Sequence, residues 1–466
     1  MFFRNKTPAN AIQKKSNNRR LSLESLEGRQ LMAGDVVASL FNGDLYISEV
    51  SQQVGQDNGI RISKLASGKI QVLGTVANGT DPIATKVNGL SAQEFSVNGS
   101  LFVNLGAGND RVQMGFDGGS SAPTFNRVEI NVGAPLPVVA RTLIGGAPNT
   151  FTPQDSDQVL LWGANTRSSM SIRTGDKNDW VFVGQVNVGD GIGVDNLSIN
   201  TGSGGDQVTL KGTNVRGNLD IQTYALVAEG DQDGVYIDST TNSGVNVRTI
   251  VAGSTDVRTG GGADFFMVTD PARPDANVFE TVFETHGYVL VDTGAGDDTV
   301  FVRNSNIGEE TYDDVNLDNL IVNTGSGADS ARLHNVNVGA YFQLQTFNSV
   351  LEADIDVANI DHLYSSRNIT ILTGGGDDQV TLDNSTAFWD LNIDTSSGND
   401  RVNLLDYVIG LKNTNLFGGD GTDSLNYRRN NFLKNLKETG WEFVNGFPQL
   451  QFANIASNSG ILSRRV

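Results

Sequence analysis

The sequence predicts an all-β protein, a right-handed parallel β-helix in which short coils stack into a solenoid. Three observations lead to this prediction. A Gly-rich phrase ending in aspartate recurs along the chain, and apolar and polar residues alternate on both sides of it. Over most of the chain its copies lie 22 to 34 residues apart. A phrase that recurs at a short, nearly constant interval indicates one structural unit copied many times.

The recurring phrase has the form Thr-Gly-x-Gly-x-Asp, and Thr293-Gly-Ala-Gly-Asp-Asp298 is a full copy. The final aspartate of each copy gives the register of the repeat. Clear copies end at Asp110, Asp206, Asp264, Asp298, Asp329, Asp378 and Asp400. Weaker copies end at Asp157, Asp179, Asp233, Asp354 and Asp423.

Each copy lies between two runs of alternating residues. Leu197-Ser-Ile-Asn precedes the copy that starts at Thr201, and Val208-Thr-Leu follows it. Alternation with a period of two is typical of a half-buried strand, and Gly supplies the positive φ of a sharp turn. With a third short segment, the unit reaches the size of one β-helix coil. The competing architecture, a run of antiparallel β-sandwiches, needs about 100 residues per domain.

Composition restricts the class of protein. The chain has 466 residues, no cysteine and a formal net charge of −20. Disulfides and thiolate metal sites are therefore excluded. An acidic body is expected to repel nucleic acid and to attract cations. Because the chain has no run of 18 apolar residues, we expect no transmembrane helix.

The chain is expected to divide into four segments. These are a disordered basic leader at 1–36, a β-rich N-terminal cap or irregular first coils at 37–100, the β-helix at 101–427, and a C-terminal cap and tail at 428–466. In the last segment Phe432, Leu433 and Leu436 have helical spacing. This spacing predicts a short amphipathic helix that covers the open end of the solenoid.

The leader contains a short motif. Residues 26–33 read Leu-Glu-Gly-Arg-Gln-Leu-Met-Ala. The motif resembles the LEPR-XLL sequence, Leu-Glu-Pro-Arg-x-Leu-Leu-Ala, of large exported bacterial proteins, with Gly28 in place of Pro and Met32 in place of Leu. The resemblance implies an export address, and so a location outside the cell or in the cell envelope of a bacterium.

The phrase itself shows a second resemblance. Gly418-Gly-Asp-Gly-Thr-Asp-Ser-Leu-Asn426 matches the calcium-binding nonapeptide of RTX (repeats-in-toxin) proteins, Gly-Gly-x-Gly-x-Asp-x-apolar-x. In that family the nonapeptides follow one another directly, and each ion lies between consecutive copies. Here a whole coil separates the copies, so an RTX ion site does not carry over intact.

Stacked coils also create an electrostatic problem. Carboxylates about 4.8 Å apart repel by roughly 3–4 kcal/mol at an effective dielectric constant of 20. Bound Ca²⁺ would relieve this repulsion, because it accepts several oxygen ligands in flexible geometry. The candidate ligands are Asp206, Asp264, Asp297, Asp298, Asp329, Asp377, Asp378, Asp400, Asp420 and Asp423. The alternative is a structural turn in which each Asp bonds nearby backbone N–H groups.

Catalytic patterns are absent from the sequence. Adjacent aspartates occur within the repeated phrase, which recurs too often to form one active site. His286, His334 and His362 lack metal-ligand spacing and are expected at the surface. The sequence favours an exported structural or adhesive surface protein without enzymatic activity. Its expected partners are divalent cations and cell-surface polysaccharide or other envelope proteins. The alternative is a polysaccharide-active β-helix enzyme, a pectate-lyase-like lyase or a hydrolase.

Overall fold

The structure is a computed structural model of the chain. It describes residues 34–50, 55–77, 83–115, 123–133, 156–193, 195–225, 230–242, 245–269, 280–308, 318–348 and 352–445. The leader motif at 26–33 lies outside these residues. Within the described ranges every regular element is a β-strand.

The first six strands precede the repeats. They are β1 Asp35–Phe41, β2 Asp44–Glu49, β3 Gly59–Lys64, β4 Ile70–Thr75, β5 Lys86–Val87 and β6 Ala92–Phe95. Strands β1 and β2 form an antiparallel pair, as do β3 and β4 and then β4 and β6. The outer edges of β2 and β3 pair in parallel with the first repeat strands. The N-terminal hairpins therefore start both sheets of the stack.

The repeated body supplies the remaining strands. The first part contains β7 Leu101–Asn104, β8 Arg111–Met114, β9 Thr124–Phe125, β10 Val128–Asn131, β11 Gln158–Trp162, β12 Asn165–Thr166, β13 Met170–Arg173, β14 Trp180–Gly184, β15 Asn187–Val188, β16 Leu197–Asn200, β17 Gln207–Lys211, β18 Asn214–Val215, β19 Leu219–Gln222, β20 Gly234–Asp238, β21 Thr240–Asn242, β22 Val245–Val247, β23 Thr249–Val251, β24 Thr255–Arg258 and β25 Phe265–Thr269. The second part contains β26 Phe283–Thr285, β27 Val289–Asp292, β28 Thr299–Ile307, β29 Leu320–Asn323, β30 Ser330–Val338, β31 Phe342–Gln345, β32 Val357–Ser365, β33 Ile369–Leu372, β34 Gln379–Asp383, β35 Thr386–Ala387, β36 Asp390–Asp394, β37 Ser397–Gly398, β38 Arg401–Leu404, β39 Ile409–Gly410, β40 Asn413–Phe417, β41 Asp420–Gly421, β42 Ser424–Tyr427, β43 Phe432–Leu433, β44 Leu436–Thr439 and β45 Phe443–Asn445.

Most of these strands stack into two long sheets, while β21 with β22 and β37 with β41 form two separate two-stranded sheets. The first sheet has 16 strands, in the order β5, β1, β2, β7, β10, β13, β16, β19, β24, β27, β29, β31, β33, β36, β40 and β44. The second sheet has 25 strands and contains the second and third strands of each coil. These two rows belong to one sheet because the nine-residue strands β28, β30 and β32 continue through the bend between them. Coil-to-coil pairing is parallel throughout the repeats. The predicted parallel β-helix is confirmed, and the antiparallel sandwich is excluded.

The coil from β16 to β18 shows how the sequence folds. Alternating residues of β16 and β17 point inward, and each inward residue stacks on its counterpart in the next coil. Val208 pairs in register with Val235, and Leu210 with Ile237. All four side chains are fully buried. The period-two pattern thus becomes a continuous apolar core along the stack.

The Gly-rich turn joins the first sheet to the second, and its glycines are required twice over. Gly294 and Gly296 have φ of +93° and +130°, a region that other residues enter at a cost. In addition, a Cβ on Gly296 would lie 1.8 Å from the carbonyl oxygen of Gly262 in the preceding coil. Close stacking of turn backbones therefore requires Gly at this point of the phrase.

The predicted C-terminal helix is wrong. Phe432 and Leu433 form β43, and Leu436 begins β44, so both rows of strands continue through this segment. Asn435, at φ +49°, makes the turn between the two strands. Leu433 and Leu436 are three residues apart, as on one face of a helix, because this short turn separates the two strands that contain them. The edges of β39 and β40 present backbone N–H and C=O groups, which added strands satisfy and a helix does not.

Candidate functional site

One buried aspartate directly precedes the second strand of each coil, in most coils at the end of a Gly-rich turn, and we call this set the ladder aspartates. They are Asp110, Asp157, Asp179, Asp206, Asp233, Asp264, Asp298, Asp329, Asp356, Asp378, Asp400 and Asp423, each between 0 and 3% exposed. The repeat register predicted all of these positions except one. Asp356 takes the position that the sequence assigned to Asp354, which lies two residues earlier and is partly exposed.

The ladder aspartates form an unbroken chain of hydrogen bonds. The backbone N–H of each one donates to Oδ1 of the ladder aspartate in the next coil, over 2.7 to 2.9 Å. At the N-terminal end the N–H of Asn58 donates to Asp110 at 2.8 Å. At the C-terminal end the N–H of Asp423 donates to Oε2 of Glu442 at 2.7 Å. The chain therefore extends from the N-terminal hairpins to the last strand.

This arrangement supplies a hydrogen-bond acceptor to a buried backbone N–H group. The N–H of a ladder aspartate lies between two strands, where the sheet no longer supplies a carbonyl partner. An unpaired buried N–H costs about 1–3 kcal/mol, and water does not reach the interior of the stack. The carboxylate of the next coil supplies the missing acceptor. Each ladder aspartate consequently holds two coils in register.

The second carboxylate oxygen lies beside the threonine that opens the phrase. Thr223 donates to Oδ2 of Asp233 at 2.6 Å, and Thr346 donates to Oδ2 of Asp356 at 2.5 Å. These threonines are also buried. Hydroxyls at this position also approach the carbonyl oxygen of the corresponding threonine one coil on, as Thr346 does with Thr373 at 3.3 Å.

Burial raises the pKa of the ladder aspartates. Desolvation is the largest cause at every one with a resolved shift, and at Asp298, Asp329 and Asp378 hydrogen bonds from a threonine hydroxyl and a backbone N–H oppose it. The pKa of Asp206 rises to about 9, because the neighbouring charge of Asp179 adds to desolvation. The pKa rises to about 7 at Asp233, Asp298, Asp329, Asp356, Asp378 and Asp400. It is also raised at Asp110, Asp264 and Asp423.

Protonation is compatible with the hydrogen bonds of the turn. A protonated carboxyl keeps Oδ1 as the acceptor for the preceding coil, and its Oδ2–H can donate to the threonine hydroxyl. That hydroxyl then donates onward, as Thr259 does to the carbonyl of Thr293 at 3.3 Å. The ladder therefore carries less charge at neutral pH than its formal count, which reduces the predicted repulsion.

A second row of side chains lies outside the ladder. In the coils where the residue directly before the ladder aspartate is Asn or Asp, its side chain can accept a bond from the corresponding N–H of the following coil. Asp297 accepts from Ala328 at 3.0 Å, and Asp377 accepts from Asn399 at 2.8 Å. The direction is opposite to that of the ladder, so adjacent residues tie each coil to both of its neighbours.

The predicted calcium ligands thus fall into two groups. The buried group consists of Asp206, Asp264, Asp298, Asp329, Asp378, Asp400 and Asp423. Their Oδ1 atoms bond backbone N–H groups inside the stack, an environment that does not fit an RTX-type ion. The exposed group consists of Asp297, Asp377 and Asp420. Asp377 borders a shallow depression of about 470 Å³, with Glu352 on its wall.

The sequence missed a cluster that the fold assembles on the second sheet. Across the described residues, ligand atoms of three or more His, Asp or Glu side chains come within 4.8 Å of one another at one place, formed by His334, Asp361 and His362. His334 and Asp361 are 27 residues apart, which is one of the coil intervals. Residues one coil apart lie next to each other in a β-helix, so a comparison of residues at the coil interval would have revealed this pair. A search for ligands a few residues apart in the sequence does not find it.

Comparisons with known proteins do not place the chain in a family. No protein-family model, no curated protein and no solved structure matches it. Within the described ranges, no helix is long and apolar enough to cross a membrane.

We expect stability to increase on acidification, with the ladder as the cause. Asp298 has a folded-state pKa of about 7, above its ordinary value of 3.8. Such a group binds its proton more tightly when folded, so its contribution is complete below about pH 4 and is lost as the pH rises through about 7. Thermal melts should give a higher Tm at pH 5 than at pH 8. A Tm that falls steadily from pH 8 to pH 5 would contradict this assignment.

Proposed function

We propose that the protein is an exported structural or adhesive β-solenoid of a bacterial cell surface or extracellular matrix, without enzymatic activity. One observation carries the proposal. The ladder repeats the same bond from Asn58 to Glu442 with little change in length. A continuous internal tie of this kind suits a rod whose role is to span distance and to present a surface.

The outward surface supports the same conclusion. Asparagine side chains bond from coil to coil, as Asn187 does with Asn165 at 2.7 Å and Asn415 with Asn392 at 2.8 Å. A further pair joins Asn337 and Asn306 at 2.9 Å. Polar groups are thus repeated along the stack, whereas a glycosidase or lyase concentrates its acids and bases in one cleft. Repetition favours multivalent contact with a repetitive partner such as an envelope polysaccharide.

The proposed calcium site lies at Asp377, one of the exposed carboxylates. Asp377 and Glu352 border the same depression, and their carboxylate oxygens are of the kind that Ca²⁺ prefers. One oxygen of Asp377 already accepts the Asn399 N–H. Two carboxylates with few further protein ligands correspond to a weak site, in the roughly millimolar range of extracellular calcium modules.

Surface exposure can be tested on intact cells of the source organism. Lys434 and Lys437 are exposed at the C-terminal end of the stack. A membrane-impermeant amine-reactive biotin reagent should label the protein before lysis, or the protein should be recovered from the medium. Labelling only after lysis would contradict an exported location. Release of unsaturated or reducing sugars when purified protein is incubated with acidic polysaccharides would instead support an enzyme.

The calcium assignment predicts a stabilisation that depends on Asp377. Protein freed of metal by chelation and dialysis should show a higher Tm when millimolar Ca²⁺ is restored. Asp377→Asn should reduce this increase, because it removes a carboxylate from the depression. Asp297→Asn is the matched control, since Asp297 occupies the same outward position in another coil. An unchanged Tm on adding calcium to the wild type would overturn the assignment.

A further inference from the structure

We propose that His334, Asp361 and His362 bind one Zn²⁺ ion on the surface of the solenoid, linking two adjacent coils. This site is separate from the ladder and from the proposed calcium site. It has a different ligand chemistry and lies on the second sheet. The proposal does not depend on the function proposed above.

The three side chains already converge on one point. Asp361 lies between the two histidines, with His334 Nδ1 at 2.9 Å from Oδ2 and His362 Nδ1 at 2.5 Å from Oδ1. The two imidazole rings are 5.9 Å apart, with an interplanar angle of 70°. All three side chains are between 39 and 52% exposed, so an ion can reach them from solvent.

The backbone fixes this convergence. His334 of β30 pairs in register with Asp361 of β32, so their side chains leave the same face of adjacent parallel strands. His362 follows at the bend of the same strand. Two of the three ligands therefore come from one coil and one from the coil before it. A bound ion would join two coils that otherwise meet through strand hydrogen bonds and core contacts.

His362 occupies a bend position that the neighbouring coils give to asparagine. It has φ +55° at the bend of its coil, where the corresponding residues of neighbouring coils are Asn304, Asn335 and Asn384, with φ of +48°, +54° and +44°. Asn335 donates to Asn304 across two of those bends at 2.9 Å. Asparagine and histidine are both enriched among residues with this conformation, and asparagine supports it with local hydrogen bonds. Histidine in place of asparagine adds a metal ligand at a position where asparagine suffices for folding.

The ligand set selects the metal. Imidazole nitrogen suits zinc and other late first-row ions, whereas Ca²⁺ prefers oxygen. With Zn–N and Zn–O distances of about 2.0–2.2 Å, tetrahedral ligand atoms lie roughly 3.3–3.5 Å apart. One ligand atom from each of the three side chains lies within 4.8 Å of the other two, so small side-chain movements bring the set to this spacing. Water would complete the tetrahedron, as in zinc sites with three protein ligands.

Neighbouring charges surround the site on both sides. Asp383 of β34 pairs in register with Asp361 and adds a carboxylate one coil further on. Arg303 of β28 pairs in register with His334 on the opposite side. The formal net charge of −20 gives the chain as a whole an attraction for cations. Specific binding must therefore be separated from this general attraction by variants of the histidines.

Isothermal titration of the metal-free full-length protein with ZnCl₂ tests the proposal. We expect one high-affinity Zn²⁺ per chain, together with a higher Tm in the presence of zinc. His334→Gln and His362→Asn should each weaken that binding by more than about tenfold, since even supporting residues around metal sites contribute 10- to 100-fold. His362→Asn is expected to fold, because it restores the residue found at the neighbouring bends.

His286→Gln provides the matched control. His286 lies on another coil, where its Nε2 is 3.3 Å from Oε1 of Glu284. This variant should bind zinc as the wild type does. The proposal is overturned if the wild type shows no high-affinity zinc, or if His334→Gln and His362→Asn bind it as tightly as His286→Gln. Saturating Ca²⁺ should not displace the zinc, which separates this site from the calcium assignment.

Discussion

The structure depends on a hydrogen bond between the backbone N–H of one turn and the aspartate side chain of the next. Strand pairing satisfies the backbone within each sheet, but the corner between the sheets leaves an N–H inside the stack. An aspartate at that corner accepts this bond and places its own N–H to continue the chain. The apolar core supplies most of the burial, whereas the ladder determines which residue of one coil meets which residue of the next.

This constraint explains the composition of the phrase. The glycines let turn backbones approach until a carboxylate reaches the neighbouring N–H, and at Asp233 and Asp356 the threonine hydroxyl donates to the second carboxylate oxygen. The number of residues in a coil varies much more than the geometry of the ladder bond. Ladder bonds join residues 22 apart, as in Asp157 and Asp179, and residues 47 apart, as in Asp110 and Asp157, at nearly the same distance. Extra residues enter between strands without disturbing the corner.

The sequence predicted the architecture because period-two alternation and the Asp phrase both record the coil. It assigned Asp354 in place of Asp356 because the phrase has lost its glycines there, leaving two aspartates on a strand-length segment. It could not show that the ladder faces inward, since a buried and an exposed carboxylate look alike in the chain. The same cause explains the wrong helix around Leu433 and the missed pairing of His334 with Asp361. Spacing within a short stretch of sequence does not report contacts between residues of adjacent coils.

Replacement of one ladder aspartate in mid-stack tests the central claim most directly. Asp298→Ala removes the acceptor of the Asp264 N–H, now at 2.8 Å, and should cost about 1–3 kcal/mol or more in the free energy of unfolding. Asp298→Asn keeps an oxygen acceptor without the charge, so its Tm at pH 8 should equal or exceed that of the wild type. Asp297→Asn, next to it on the exposed side, should be nearly neutral. If Asp298→Ala were as stable as Asp297→Asn, or Asp298→Asn as damaging as Asp298→Ala, the ladder would not be what holds the coils in register.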